Sequence, residues 1–522
     1  MQIYKMKRTK LLMVTALAGS AVSSFAQKNP REPYNILFIA SDDLNSDLHA
    51  YGDDQVKTPN IDRLAKMGVA FTHAYNQSPL SGPSRASLLT GYRPDKINVH
   101  DLNGRFRNTI PDAVTIPQMF KNNGYYTCRI GKIFHAGVPR EIGKPGADDP
   151  ASWTETFNPI GKDKTDEHKI KILSPVKDVR MLGAALAYMA TEGSEDELTD
   201  AISANMAVKI LRERYSKPGA DEEPTLRKIK EQERNQPFFM AVGFYRPHCP
   251  YVAPQQYFDL YPEDVELPPF LEDEWDTKPY AALNSLPLFA GLNVEERKEI
   301  VRAYYASISF MDAQVGKLLD GLEELNLLDN TIIVFWSDHG YMLGHHGLWQ
   351  KQNLFEHTCS QPLIVYAPDH SQGVACDRLV EMIDIYPTLA ELTGLKAPAD
   401  LDGKSLVPLL KSPEREWKYP AFTQQARTIN PNAKEGDFRY LFNPVVADKN
   451  GHPVTGIKTF FGRSVRVERY RYTEWDEGRE GVELYDYQTD PNEFNNLAAD
   501  PAYKELIEEL SLILHSSYGK LN

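Results

Sequence analysis

Cysteine is scarce in this chain, with four in 522 residues, at positions 128, 249, 359 and 376 and no C-x-x-C pair. That excludes a disulfide-stapled scaffold and a cysteine-built zinc site, and leaves buried free thiols as the reading. Positive charge is also in deficit: 58 Lys and Arg stand against 72 Asp and Glu, a formal net charge of −14. A phosphate backbone needs clustered cations, so no nucleic-acid partner is expected. An anionic small substrate is not excluded, because a local basic pocket can sit in an acidic protein. Internal repeats and low-complexity tracts are missing.

Long apolar runs are missing as well. Beyond the N-terminal region nothing approaches the ~18 unbroken apolar residues of a membrane span, so none is expected. Near the start, Lys5, Lys7, Arg8 and Lys10 precede "LLMVTALAGSAV", and "SSFAQ" offers Ser24 and Ala26 as small residues. This is the pattern of a cleavable secretory signal peptide over residues 1–26. The expectation is a soluble mature protein, periplasmic or secreted. The length accommodates one large domain plus a smaller one.

What is present are short apolar runs that end abruptly in polar groups. "NILFIA" runs into Ser41-Asp42-Asp43, "YTCRI" into Gly131-Lys132 with His135 soon after, and "FFMAVGF" leads to Arg246-Pro247-His248. "TIIVFW" leads to Ser337-Asp338-His339, and "PLIVYAP" is a fifth such run. Runs of this kind read as strands covered on both faces. Between them lie helix-patterned segments: "NIDRLAKMG", "IPQMFKNNG", residues 297–325 and "IDIYPTLAELTG". Alternation of this type predicts an α/β doubly wound fold with a mixed, mostly parallel sheet flanked by helices. Residues 190–236 are charged and read as solvated helical insertions. After about residue 412 the texture changes to an alternating β pattern and a terminal helix. Residues 33–415 are therefore expected as the catalytic domain. Residues 416–522 are expected as a C-terminal α+β subdomain with an antiparallel sheet.

Ligands of such folds bind at the carboxyl ends of the strands, where Asp42, Asp43, Lys132, His135, His248, Asp338 and His339 fall. Three carboxylates on one rim repel one another unless a cation sits among them, and oxygen ligands point to Ca²⁺ or Mg²⁺. His339 is an awkward ligand for a hard ion and can instead hydrogen-bond a nucleophile. Lys132 and Lys351, beside a metal, Arg85 and a helix start, become clamps for a tetrahedral oxyanion. His135 and His248 suit general acid and base work. The stretch "SPLSGPSRASLLTGYRP" places Ser81, Pro83 and Arg85 at the start of a helix, an anion-binding arrangement.

The stretch "S-G-P-S-R-A-S-L-L-T-G" resembles the signature of the formylglycine-dependent sulfatase family, C/S-x-P-S-R followed by L-x-G. The resemblance covers nearly the whole chain beyond residue 33, through "ASDDL", "TPNIDRLAKMGVAFTHAY", "GKIFH", "YRPHCPY", "SDHGYMLGHHGLWQK", "DIYPTLAELTGL" and "ELYDYQTDPNEFNNLA". Within the family, "GKIFH", Asp338-His339, "HGLWQK", "HDLNGRFR" and "RVERYRYTEW" are most similar to the iduronate-2-sulfatase and bacterial glycosaminoglycan 2-O-sulfatase group. Serine at position 81 resembles the bacterial serine-type members, matured by an anaerobic sulfatase-maturating enzyme.

The resemblance implies an alkaline-phosphatase-like fold and one Ca²⁺ held by Asp42, Asp43, Ser81, Asp338 and His339. It implies that Ser81 becomes 3-oxoalanine (formylglycine), whose hydrate attacks sulfur. Arg85 would then stabilise the attacking oxygen, and Lys132 and Lys351 would hold the sulfate. His248 would protonate the leaving sugar oxygen, and His135 would take the proton that expels sulfate. A plain serine ester would have no second hydroxyl to drive its own collapse. The implied substrate is a sulfated oligosaccharide, with 2-O-sulfate on hexuronate of heparin, heparan or chondroitin fragments foremost. Asn103, Arg105 and Arg107 are candidates for the uronate carboxylate, with a self-contained surface loop as the other reading. Tyr341, His345, His346 and Trp349 could line the sugar pocket. The competing functions are a carbohydrate sulfatase of other regiochemistry, a phosphatase or phosphonate hydrolase of the same fold, and a sulfated-glycan binder carrying unmodified Ser81.

Overall fold

Eight residues in a row are buried over Asn35–Asp42, a pattern that forces a strand covered on both faces. The computed structural model describes residues 32–174, 179–215, 236–429, 439–440 and 458–518. The expected signal peptide lies outside these residues. The architecture below is that of the unit Tyr34–Asn522.

The large sheet comprises β1 (Asn35–Asp42), β2 (Val69–Tyr75), β3 (Tyr126–Gly131), β4 (Glu155–Phe157), β5 (Phe238–Pro247), β6 (Thr331–Ser337), β7 (Ser360–Tyr366) and β8 (Val374–Glu381). Their order is β8-β2-β7-β6-β1-β5-β3-β4. From β6 to β4 every pairing is parallel. β7 runs antiparallel to both β6 and β2, and β8 is parallel to β2. The run "PLIVYAP" is therefore a buried strand, but not a parallel one. Hydrophobicity reports burial and is blind to direction. The parallel block puts Asp42, Lys132, His248 and Asp338 at or just past the carboxyl ends of neighbouring strands.

Alternation along β1 separates the two helical layers. Ile36, Phe38 and Ala40 pack with residues of the helices Ser81–Thr90, Ile116–Asn122 and Ile385–Thr393. Leu37 and Ile39 pack on the other face with residues of Pro59–Met67, Thr199–Tyr215 and Val294–Glu324. The last helix starts at a capping box: Asn293 Oδ1 accepts from the Glu296 amide at 2.9 Å, and Glu296 Oε2 accepts from the Asn293 amide at 3.0 Å.

The expectation of solvated insertions over residues 190–236 fails for Thr199–Tyr215. Ala201, Ala204, Ala207 and Leu211 of that helix are completely buried. Small alanines let it lie flat against the sheet; Lys209 and Arg212 face outward, while Asp200 and Arg214 are buried with it. Residues 216–235 lie outside the described set.

A separate antiparallel sheet follows, formed by Ala421–Ile429, Lys458–Arg466, Tyr470–Trp475 and Val482–Asp486. The helix Lys504–Tyr518 covers it through Leu510 and Leu514 against Val465 and Leu484. Its first strand touches the segment that leads to Ser81, where the Gln424 amide donates to the Gln77 carbonyl at 3.0 Å.

Candidate active site

Ser81 opens the helix Ser81–Thr90 and is almost fully buried. Its Oγ lies 3.2 Å from His339 Nε2. Four residues on, Arg85 reaches back from the same helix into the carboxylates. Its Nη2 meets Asp42 Oδ1 at 3.1 Å and its Nε meets Asp338 Oδ2 at 2.9 Å, all three side chains being completely buried. Nη1 donates to the carbonyls of Lys132 and Ile133, at 3.1 and 2.9 Å. Arg85 therefore spans β1, the loop after β3 and the end of β6. This use of a planar, permanently charged fork is one a lysine cannot copy.

Lys132 Nζ donates to Asp42 Oδ2 at 2.5 Å, and Lys351 Nζ donates to Asp43 Oδ1. Burial pulls the Lys132 ammonium below its usual range despite Asp42. Burial pulls on Lys351 too, but Asp43, Asp42 and Asp338 more than offset it and its affinity for the proton rises. Three buried carboxylates thus face three cations. Burial raises Asp42 and pushes Asp43 up to about 7, against the pull of the lysines. Burial also acts on Asp338, but Arg85, His339 and the two lysines outweigh it and hold that carboxyl well below its usual range.

The loop after β1 is aimed by groups not singled out in the sequence. Asp43 adopts a positive φ of 62°, a conformation non-glycine residues rarely take. Tyr304, on the helix Val294–Glu324, donates its hydroxyl to the Asp43 carbonyl at 2.7 Å and accepts from the Asn45 amide at 2.9 Å. Ser337 Oγ accepts from the Leu44 amide and donates to the His339 carbonyl, both at 3.0 Å. In the sequence Tyr304 is one apolar-face residue of an amphipathic helix, and nothing there marks its hydroxyl.

A cation fits this donor set. His339 Nδ1 lies 2.9 Å from the Gly340 carbonyl, which can only accept, so the ring proton sits on Nδ1. Nε2 therefore turns a lone pair toward Asp43 Oδ1 at 3.3 Å and Asp338 Oδ2 at 3.5 Å. Burial keeps the ring neutral, pulling it down to about 3. Asp43 Oδ2 is buried without a hydrogen-bond partner. Asp43, Asp338 and His339 offer ligand atoms within 4.8 Å of one another, and so do Asp42, Asp43 and His248. Lone pairs crowded in this way need positive charge between them.

His248 is buried, its Nδ1 lying 2.5 Å from the Cys249 carbonyl and its Nε2 3.6 Å from Asp43 Oδ2. His135 is partly buried and its Nδ1 has no hydrogen-bond partner. Burial, helped by Lys351 and Lys132, holds both imidazoles well below their usual range. Lys132 itself depends on a close glycine approach. Gly131 has φ +74°, and a Cβ on Gly243 would fall 1.8 Å from the Lys132 carbonyl oxygen.

The substrate candidates fare unevenly. Arg107 is consumed by structure: Nε and Nη2 grip Asp149 at 2.5 and 2.8 Å, and Nη2 also reaches Gln118 Oε1. Tyr341 is fully buried with its hydroxyl 2.7 Å from that of Tyr251. Tyr341 is thus closed off from solvent, and the charge of Arg107 is already paired. His345, His346 and Trp349 are also buried, His345 stacking on His357 and His346 on Phe355. Asn103 and Arg105 are exposed, although Arg105 Nη1 caps carbonyls of its own loop at 2.8 and 2.9 Å. That loop rests on the start of the Ser81 helix, since a Cβ on Gly82 would fall 2.5 Å from the Asp101 carbonyl oxygen.

Residues 34–395 match the family model described as Sulfatase. The chain belongs to the sulfatase family. It is a sulfuric ester hydrolase. It is 34% identical over 503 residues to a sulfatase of Formosa agariphila, covering 94% of this chain and 87% of that one. It is 30% identical to human iduronate 2-sulfatase over 556 residues, covering 96% and 97% of the two chains. A solved 2-O GAG sulfatase shares the fold at TM-score 0.65 and 23% identity, over 93% of this chain and 92% of that one.

Proposed function

We propose that this sulfatase removes the 2-O-sulfate from hexuronate residues of heparin-, heparan- or chondroitin-type fragments. The observation that carries the catalytic part is the meeting of Ser81 Oγ and His339 Nε2 at 3.2 Å, at a helix start ringed by Arg85, Lys132 and Lys351. The 2-O assignment is supported by the end-to-end similarity to an iduronate 2-sulfatase and by the motifs shared with that group.

In this reading Asp42, Asp43, Asp338 and His339, with the group at position 81, hold one Ca²⁺. The ion supplies fixed positive charge for the sulfate ester, and Ser81 oxidised to formylglycine supplies an aldehyde hydrate with two hydroxyls. Arg85, immobilised between Asp42 and Asp338, keeps its charge beside position 81. Lys132 and Lys351 neutralise the oxygens of the bound sulfate. His248, whose neutral ring keeps its one proton on Nδ1 against the Cys249 carbonyl, donates to the leaving sugar oxygen from Nε2 as the imidazolium. His135 accepts the proton released when sulfate departs. Asn103 and Arg105 sit on the exposed loop over Gly82 and are the contacts assigned to the uronate.

The maturation partner is an anaerobic sulfatase-maturating enzyme acting on Ser81, and residues 1–26 direct export to the periplasm or medium. Residues 33–415 act as the catalytic domain and 416–522 as the C-terminal subdomain. A panel of sulfated disaccharides tests the assignment, with loss of the 2-O-sulfate as the expected result. Release confined to 6-O- or 4-O-sulfate overturns the regiochemistry.

A further inference from the structure

The turn that carries His248 is held from behind by a buried ion-paired assembly. Arg246, 1% exposed, donates from Nη1 to the carbonyls of His248 at 3.0 Å and Pro250 at 2.5 Å. Its Nη2 meets Asp163 Oδ2 at 2.8 Å, a carboxylate that is itself buried. Asp163 Oδ1 accepts from the Thr199 amide at 2.9 Å and from Thr199 Oγ1 at 2.6 Å, tying the pair to the start of a helix. Asp200, next in that helix, accepts from the amides of Tyr245 and Arg246, both at 2.9 Å. The Arg246 carbonyl accepts from Ser41 Oγ at 2.9 Å, beside Asp42.

A buried ion pair is expensive to bury and is weak support for stability by itself. Here its hydrogen bonds converge on the carbonyls of His248 and Pro250, on either side of Cys249. The remaining ring contact is local, from Nδ1 to the neighbouring Cys249 carbonyl. Once the turn is fixed, Nε2 has a single direction, toward Asp43 Oδ2 at 3.6 Å.

We infer that Arg246 and Asp163 are positioning residues that aim His248 Nε2 at the leaving-group oxygen of the sulfate ester. The inference rests on the reading of His248 as the proton donor to that oxygen. Neither residue touches the ester. Loosening either side chain lets the turn drift, and proton delivery suffers while the sulfate clamp of Lys132, Lys351 and Arg85 stays in place.

Proton delivery matters greatly for an alcohol leaving group and little for nitrophenolate, which departs as a stable anion. The test therefore compares the sugar sulfate that the wild-type enzyme hydrolyses fastest with 4-nitrophenyl sulfate. For Asp163→Asn and Arg246→Met, kcat on the sugar sulfate is expected to fall at least ~10-fold, against less than ~3-fold on the aryl sulfate. KM should change little on either, and Arg246→Lys should recover part of the loss. Equal falls on both substrates, whether from a distorted site or from misfolding, overturn the positioning role, as does no fall at all. His248→Ala is run in parallel. If it shows no leaving-group dependence, the reading of His248 itself fails, a result distinguishable from failure of the Arg246–Asp163 assembly alone.

Discussion

His339 Nε2 stands 3.3 Å from Asp43 Oδ1 while its other ring nitrogen is committed to the Gly340 carbonyl. The imidazole can therefore meet the carboxylates only with a lone pair, and a cation between them relieves the repulsion. Chelation with EDTA or EGTA is expected to abolish turnover and lower the melting temperature, because a ligand that binds only the folded state stabilises it by mass action. Ca²⁺ should restore both. Unchanged activity and melting temperature after exhaustive chelation would refute the metal assignment.

Ser81 is expected to carry the modification in active preparations. The peptide spanning Ser81 should be lighter than encoded by the mass of the hydrogens lost when an alcohol becomes an aldehyde. Ser81→Ala should bind substrate and fail to turn it over. An active enzyme whose Ser81 peptide has the unmodified mass would sink this prediction.

Arg85→Lys tests the fork. The substitution keeps the charge but cannot span Asp42, Asp338 and the Lys132 carbonyl together. Stability should drop, by less than the ~3–5 kcal/mol typical of removing one partner of a buried ion pair, because a charge remains. Activity should fall by ~10²–10³-fold, as when a preorganised oxyanion donor is lost. Chemical denaturation and steady-state kinetics on one preparation measure both.

Gly243→Ala should displace Lys132. The added Cβ would lie 1.8 Å from the Lys132 carbonyl oxygen, so backbone must move. A loss of activity exceeding that of an alanine at a surface glycine such as Gly124, which meets nothing within 4 Å, is the expected contrast. Equal effects at the two sites would show that the close approach is not needed.

His357 gives a pH dependence away from the carboxylate cluster. Burial, reinforced by His346, pulls its imidazole from 6.5 down to about 4. Between these values the unfolded chain binds the proton and the folded chain does not. The contribution of this group is therefore fully present above pH ~6.5 and is lost as pH falls toward ~4. His357→Gln should flatten that part of the stability profile relative to wild type in urea melts at graded pH. Parallel profiles for the two proteins would contradict the assignment.

Much of the site was legible because catalysis at strand ends leaves a local mark. An apolar run that stops at Asp42-Asp43, at Gly131-Lys132 or at Ser337-Asp338 names both the strand and its functional tip. Ser81 and Arg85 are four residues apart on one helix, so their proximity also follows from spacing. The long-range partners were not legible. Tyr304 reads as core until its hydroxyl is found on the Asp43 carbonyl. Tyr341 and Arg107, which read as substrate contacts, are spent on Tyr251 and Asp149.

Local spacing by itself thus determined the strand–helix alternation and the carboxylate and lysine tips, and the resemblance of the motifs pointed to the family. Those depend on covalent neighbours and on burial, both written in residue order. Only the tertiary structure decided the direction of β7, the burial of Thr199–Tyr215, and which polar groups are free. Those depend on what lies opposite in space. Asp163 and Arg246 are 83 residues apart in the chain, and only folding shows that together they hold His248.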